Sequence, residues 1–241
     1  MNPKLTGLVA ALGLSLGAQA QTYTFTPIRN ADNTALQSLG RQLAVDVSQG
    51  TDGNVLFTFS NPSSDATISR IYLDDAPSNL FSNVSIANES SGVDFSANRR
   101  PGNLVGGNTS TYGFQATEQF SAVNPVTTNG LTGSGETLTL AATPNEGVTF
   151  ADVVNSLNTG NTTNRDGLRL GIQANNISQF NNRSATFLDT AGASGGGNGG
   201  NGGTDGGGGA TPPPPIPEPE TYGMLMAGLG LMAALSRRRR A

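Results

Sequence analysis

Between Leu43 and Leu188, apolar residues recur at every second position in short runs broken by Asn, Asp, Gly and Pro. Successive side chains of a strand point to opposite faces, so this period belongs to strands with one buried face. Leu43, Val45 and Val47 alternate with Ala44 and Asp46, and Val55, Phe57 and Phe59 alternate with Leu56 and Thr58. Asp52-Gly53 between the runs has the chemistry of a hairpin turn, which predicts an antiparallel pair. Further runs follow at Ile68 to Leu73, Val84 to Ile86, Val93 to Phe95, Tyr112 to Phe120, Thr137 to Ala142, Leu168 to Ile172 and Ala185 to Leu188. Roughly eight to ten short strands with turn-rich connections predict an all-β fold, an antiparallel β-sandwich or jelly roll.

One segment departs from the period. Phe150, Val153, Val154 and Leu157 fall at i, i+3, i+4 and i+7, with Thr149 placed to cap, Asp152 at the third helical position and Gly160 to stop the helix. A single short helix covering one end of the sandwich is expected. The sandwich domain is taken as residues 21–192.

The chain ends do not share this pattern. Met1 to Lys4 is positive, Leu5 to Leu16 is apolar, and Ala18-Gln19-Ala20 is a small-x-small sequence, so residues 1–20 read as a signal peptide cut after Ala20. Residues 193–216 form a linker. Ser194 to Gly209 is nearly all Gly with Asn and Thr, a flexible tether of roughly 20–25 Å, and Pro212 to Pro215 adds about 12 Å of stiff polyproline helix. Residues 217–241 carry Pro217-Glu218-Pro219, an apolar run from Tyr222 to Leu235, and Arg237, Arg238, Arg239 and Arg240. The arginines resist translocation and hold that end on the cytoplasmic side of a bilayer. As a helix the apolar run reaches only about 21 Å against roughly 30 Å of hydrocarbon, which suits a segment held transiently and then cut.

These three ordered elements resemble the PEP-CTERM sorting signal of Gram-negative bacteria. The resemblance runs from Ile216-Pro217-Glu218-Pro219-Glu220-Thr221-Tyr222 through the glycine-containing apolar run to the arginine cluster. Many members carry Trp near the position of Tyr222, and both rings suit the headgroup layer. The resemblance implies a membrane-embedded exosortase as partner, transient anchoring, then release to the cell surface or matrix, in association with exopolysaccharide and biofilm. The body is similar to β-sandwich ectodomains that precede such tails, through Ile71-Tyr72-Leu73-Asp74-Asp75, Gly92-Val93-Asp94-Phe95 and Pro101-Gly102-Asn103.

Composition narrows what the body can do. The chain has no His and no Cys, which removes the usual general base, the thiol nucleophile and the commonest soft metal ligands. Over residues 21–192 there are eight Arg against fourteen Asp and Glu, with no basic block to neutralise phosphates, so nucleic acid is not an expected partner. No residue is marked as catalytic, and the expectation is a non-catalytic protein without a cofactor. Asp74 and Asp75, with Pro77 to turn the chain, are the candidate metal ligands, and Ca²⁺ is the cation that two such carboxylates would take. The competing expectation is two solvated loop acids. Carbohydrate binding is the alternative function, carried by Asn- and Asp-rich loops, although the body offers only Tyr23, Tyr72 and Tyr112 beside its Phe residues and no Trp for stacking.

Overall fold

The computed structural model describes residues 20–133, 135–160, 162 and 164–190. Ala18, the linker, Pro217-Glu218-Pro219, the Tyr222 to Leu235 run and Arg237 to Arg240 lie outside the described residues. Ala20 is exposed, and the first strand begins at the next residue.

Among the described residues ten strands form one antiparallel sheet. In chain order they are β1 (Gln21–Pro27), β2 (Ala44–Gln49), β3 (Val55–Ser60), β4 (Thr67–Asp74), β5 (Phe81–Glu89), β6 (Phe95–Ala97), β7 (Glu118–Ala122), β8 (Thr137–Pro144), β9 (Arg169–Ile177) and β10 (Arg183–Asp189). Their spatial order is β5-β8-β3-β2-β1-β10-β9-β4-β7-β6. β1 is the hinge of this arrangement. Its first residues, Gln21 to Thr24, pair with β2, and Phe25 to Pro27 pair with β10, so one strand serves both halves. The expected sandwich of two separate sheets is therefore a single sheet rolled until it is nearly closed into a barrel. A period-two pattern specifies which face of each strand is buried and carries nothing about a strand that changes neighbours halfway along.

Inside the roll the apolar rows meet as predicted. Val45 faces Phe59 and Val47 faces Phe57 across β2 and β3, and Phe57 and Phe59 face Leu140 and Leu138 on β8. In the other half Ile71 lies beside Ile172 and Phe120, and Ile172 beside Phe187. All of these are buried in one core. Asp52-Gly53 does turn the β2–β3 hairpin, with Gly53 at a φ of 85° that favours glycine.

Among the described residues three α-helices and one 3-10 turn (Ser178–Phe180) accompany the strands where one helix was expected. α3 (Phe150–Thr159) is the predicted one, with the Thr149 and Asp152 capping box formed and Gly160 at its end. Val153 and Leu157 are fully buried, whereas Phe150 and Val154 are only partly so. α1 (Thr34–Gln42) was not foreseen. Asn33 caps it by accepting from the Leu36 N–H, and it buries Leu36, Leu39 and Gly40 against β1. Gly40 is where the two backbones meet, since a Cβ there would lie 2.4 Å from the Phe25 carbonyl oxygen. Leu36, Leu39 and Leu43 fall at i, i+3 and i+7 behind Asn33, a helical spacing that the sequence does carry and that the strand pattern beginning at Leu43 obscures. α2 (Val126–Asn129) is a single turn. The Tyr112 to Phe120 run is a strand only from Glu118, and its first part belongs to the loop of residues 98–117.

Candidate functional site

The 98–117 loop lies over the outer face of the β10-β9-β4 half. β4 is buried on both sides, and Tyr72 and Leu188 pack with Ile28, Leu104 and Phe114 in a second small core beneath the loop. Gly171 on β9 permits this approach, because a Cβ there would meet Leu104 Cδ2 at 2.8 Å. Two arginines hold the loop down. Arg169 donates to the carbonyls of Tyr112 (2.6 Å) and Gly113 (3.1 Å), and Arg165 to those of Ser110 and Thr111. Arg169 is itself buried. Its guanidinium forms an ion pair with Asp74, its directly opposed cross-strand neighbour, and lies 5.4 Å from the centroid of Phe114.

Asp74 and Asp75 are therefore not solvated. They are 1% and 8% exposed. They also take different partners, because Asp74 is the last residue of β4 and Asp75 begins the turn after it. Asp74 accepts from Arg169 and from the Gln115 N–H, while Asp75 accepts from the N–H groups of Leu80 and Phe81 and closes the turn through Pro77. The structure does not bring the two carboxylates together on one ion. Asp65 is spent on Ser178 and Gln179, and among the described residues there is no cluster of three or more acidic ligands.

Asp75 and Glu118 line one cavity of about 130 Å³. Burial raises both carboxyls above the usual range, opposed at Asp75 by its two backbone donors. Glycoside hydrolysis needs two carboxyls free to reach opposite sides of one bond. Here both Asp75 oxygens are engaged by the turn, so the pair is not arranged for that chemistry.

Asp189 is fully buried at the end of β10, where one oxygen accepts from the Leu170 N–H and the other has no partner. Burial pushes its carboxyl up to about 8, against the Leu170 donor and nearby Arg169. The same burial, with Asp189 beside it, pushes Tyr23 up to about 12.

A larger cavity of about 260 Å³ opens on the same outer face, with Arg29 and Arg183 at its walls and Gln173 in its lining. Among the described residues the tyrosines that sugar stacking would use are not presented to the cavity, whose one aromatic is Phe180. Tyr23 and Tyr72 are buried, and Tyr112 packs half-buried against the loop's own core.

Sequence reasoning missed Arg169, Asp189, Arg29 and Arg183. Gly171 between Leu170 and Ile172 was the available signal for the covered outer face, since glycine inside a strand pattern marks close approach of another backbone or ring. Nothing local in the sequence marks the other three.

The tail supplies what the body does not. Residues 215–240 match the PEP-CTERM protein-sorting motif. This chain carries a PEP-CTERM sorting signal. The PEP-CTERM match covers the Pro-Glu-Pro sequence, the apolar run and the arginine cluster and leaves the body outside it. No curated protein and no solved structure matches the chain. The PEP-CTERM motif implies an exosortase as processing partner and export to the cell surface.

Proposed function

We propose that this is an exported, non-catalytic surface protein whose tail hands it to an exosortase and whose β-rich body is displayed in the extracellular matrix alongside exopolysaccharide. The match over residues 215–240 carries this reading. The signal peptide at residues 1–20 takes the chain across the inner membrane, Tyr222 to Leu235 holds it there transiently, and Arg237 to Arg240 keep the terminus inside. Cleavage near Pro217-Glu218-Pro219 then frees a body that the Gly-rich and Pro-rich linker has kept clear of the membrane. The absence of His supports a binding role over a hydrolytic one, because a serine nucleophile has no imidazole to activate it.

Expression of the full chain in paired strains, with and without the exosortase, tests the reading. The expected outcome is a shorter product in the surface or medium fraction when the enzyme is present and a membrane-retained, full-length product when it is absent. Identical mobility and identical fractionation in both strains would overturn it. Deleting residues 217–241 should abolish the membrane retention seen in the strain without the enzyme.

The second reading is a carbohydrate- or calcium-binding module. The cavity between Arg29 and Arg183 favours the carbohydrate half of it, and the commitments of Asp74 and Asp75 to other partners weigh against the calcium half.

A further inference from the structure

The 260 Å³ cavity is assembled from three separate segments on the outer face. The stretch after β1 supplies Arg29 and Asn30, the 98–117 loop supplies Val105, and the chain entering β10 supplies Phe180 just before the strand and Arg183 and Ser184 at its start. Gln173, from the middle of β9, and Ala185 and Thr186 of β10 form the floor between them. Each part is fixed by its own contacts. The Arg29 stem lies on Gly106, where a Cβ would meet its Cγ and Cδ at 2.8 and 2.7 Å, so the glycine leaves the room that the arginine occupies. The Thr186 hydroxyl donates to the Val105 carbonyl at 2.8 Å and ties the loop to β10. Asn181 and Asn182, both left-handed at φ of 53° and 57°, turn the chain so that Arg183 opens the next strand at the cavity wall. Gln173 accepts from Arg70 at 3.1 Å and donates to Asn175 at 3.2 Å, which fixes its amide.

The charge of this site is opposite to that of the body. Two guanidinium groups line it and no carboxylate does, and among the described residues neither Arg29 nor Arg183 has an ion-pair partner. A third arginine, Arg70, stands behind Gln173. Two unneutralised cations at one concavity of an acidic domain focus a positive potential there. A planar guanidinium fork suits a carboxylate. The remaining lining is amphipathic. Ser184, Asn30 and Gln173 offer hydrogen bonds, while Val105, one of two large apolar residues exposed among the described residues, and Phe180 offer an apolar wall. The volume falls just short of the ~300–1,000 Å³ of drug-sized sites.

We propose that this cavity binds a sugar acid, with the carboxylate between Arg29 and Arg183, the ring hydroxyls on Gln173, Ser184 and Asn30, and one C–H face of the ring on Val105 and Phe180. The ligand is either a free uronic acid or one unit of an acidic polysaccharide, which share this chemistry. The proposal deepens the carbohydrate-binding reading and is independent of tail processing, so its failure leaves the exosortase reading standing.

Calorimetry on the purified full chain at low salt tests it, with glucuronate, glucose, inorganic phosphate and a short oligouronide as titrants. Glucuronate should bind saturably and at least tenfold more tightly than glucose or phosphate, and 0.5 M NaCl should weaken it severalfold. The R29Q/R183Q double variant, altered only at exposed positions, should lose at least tenfold in affinity with its melting temperature unchanged. An oligouronide that binds more tightly than the monomer assigns the site to a polymer, and equal affinity assigns it to the free acid. The proposal fails if glucose or phosphate matches glucuronate, if no titrant gives heat, or if the double variant binds as the parent does.

Discussion

Asp189 is the residue whose setting departs furthest from what its type leads one to expect. An ordinary aspartate releases its proton near 3.9, and burial raises this one to about 8. Between those values the folded protein holds a proton that the unfolded chain has released. Stability therefore falls as the pH climbs from about 4 to about 8 and levels off above that. Asp75 and Glu118 are raised in the same direction, so the assignment to Asp189 needs a variant. D189N keeps an acceptor for the Leu170 N–H and has no charge to bury. In melts from pH 5 to pH 9, D189N should flatten the decline and be at least as stable as the parent at pH 8. Parallel curves for the two proteins would show that the carboxyl does not titrate in this window. Histidine cannot confuse the result, because the chain has none.

At the scale of elements, the 98–117 loop behaves as an extra layer clamped to the sheet. Arg169 is the centre of that clamp, joining Asp74 on β4 to the Tyr112 and Gly113 carbonyls and to the ring of Phe114. Removing one member of a buried pair strands the other, at a cost of about 3–5 kcal/mol. R169M should therefore lower stability by that order in urea titrations. It should also expose Tyr112 and Phe114, so that chymotrypsin cuts within the loop under conditions where the parent resists. An R169M protein that loses stability without loop cleavage would confine the role of Arg169 to the sheet. The helix α3 was legible because its cap, its apolar stripe and its stop are all local. The loop was not, because its partners lie more than fifty residues away in sequence, at Arg165 and Arg169.

For the molecule as a whole, the question is how the two edges of the rolled sheet avoid pairing with another chain. β5 and β6 are consecutive in sequence and stand at opposite ends of the strand order. Glu89, the last residue of β5, accepts from the Phe95 N–H at 2.6 Å at the start of β6, and the Ser90 N–H donates to Thr137 on β8. The edges are thus tied at one corner. E89A would leave the Phe95 N–H without that acceptor, a loss of roughly 1–3 kcal/mol. Hydrogen exchange should speed up at Phe95 and through β6, while β2 and β3 keep their protection. Uniform acceleration across all strands would mean that the corner has no local role. A strand edge freed in this way is an aggregation hazard, so the variant should also associate at lower protein concentration.

The sequence alone determined the features that rest on local chemistry. These are the alternation that makes strands, the Asp52-Gly53 hairpin, the Thr149–Asp152 capping box, and the tail whose Pro-Glu-Pro sequence, apolar run and arginine cluster match in succession a sorting motif. Each is written within a few residues, and so it can be read without knowing what lies across the fold. Tertiary structure decided the rest. It set β1 in both halves of the sheet, turned Asp74 to Arg169 and Asp75 to a turn, and gathered Arg29 and Arg183 from positions far apart in the chain onto one cavity. A period of two says which side of a strand is buried, but neighbours across a sheet are chosen by the packing of the whole chain.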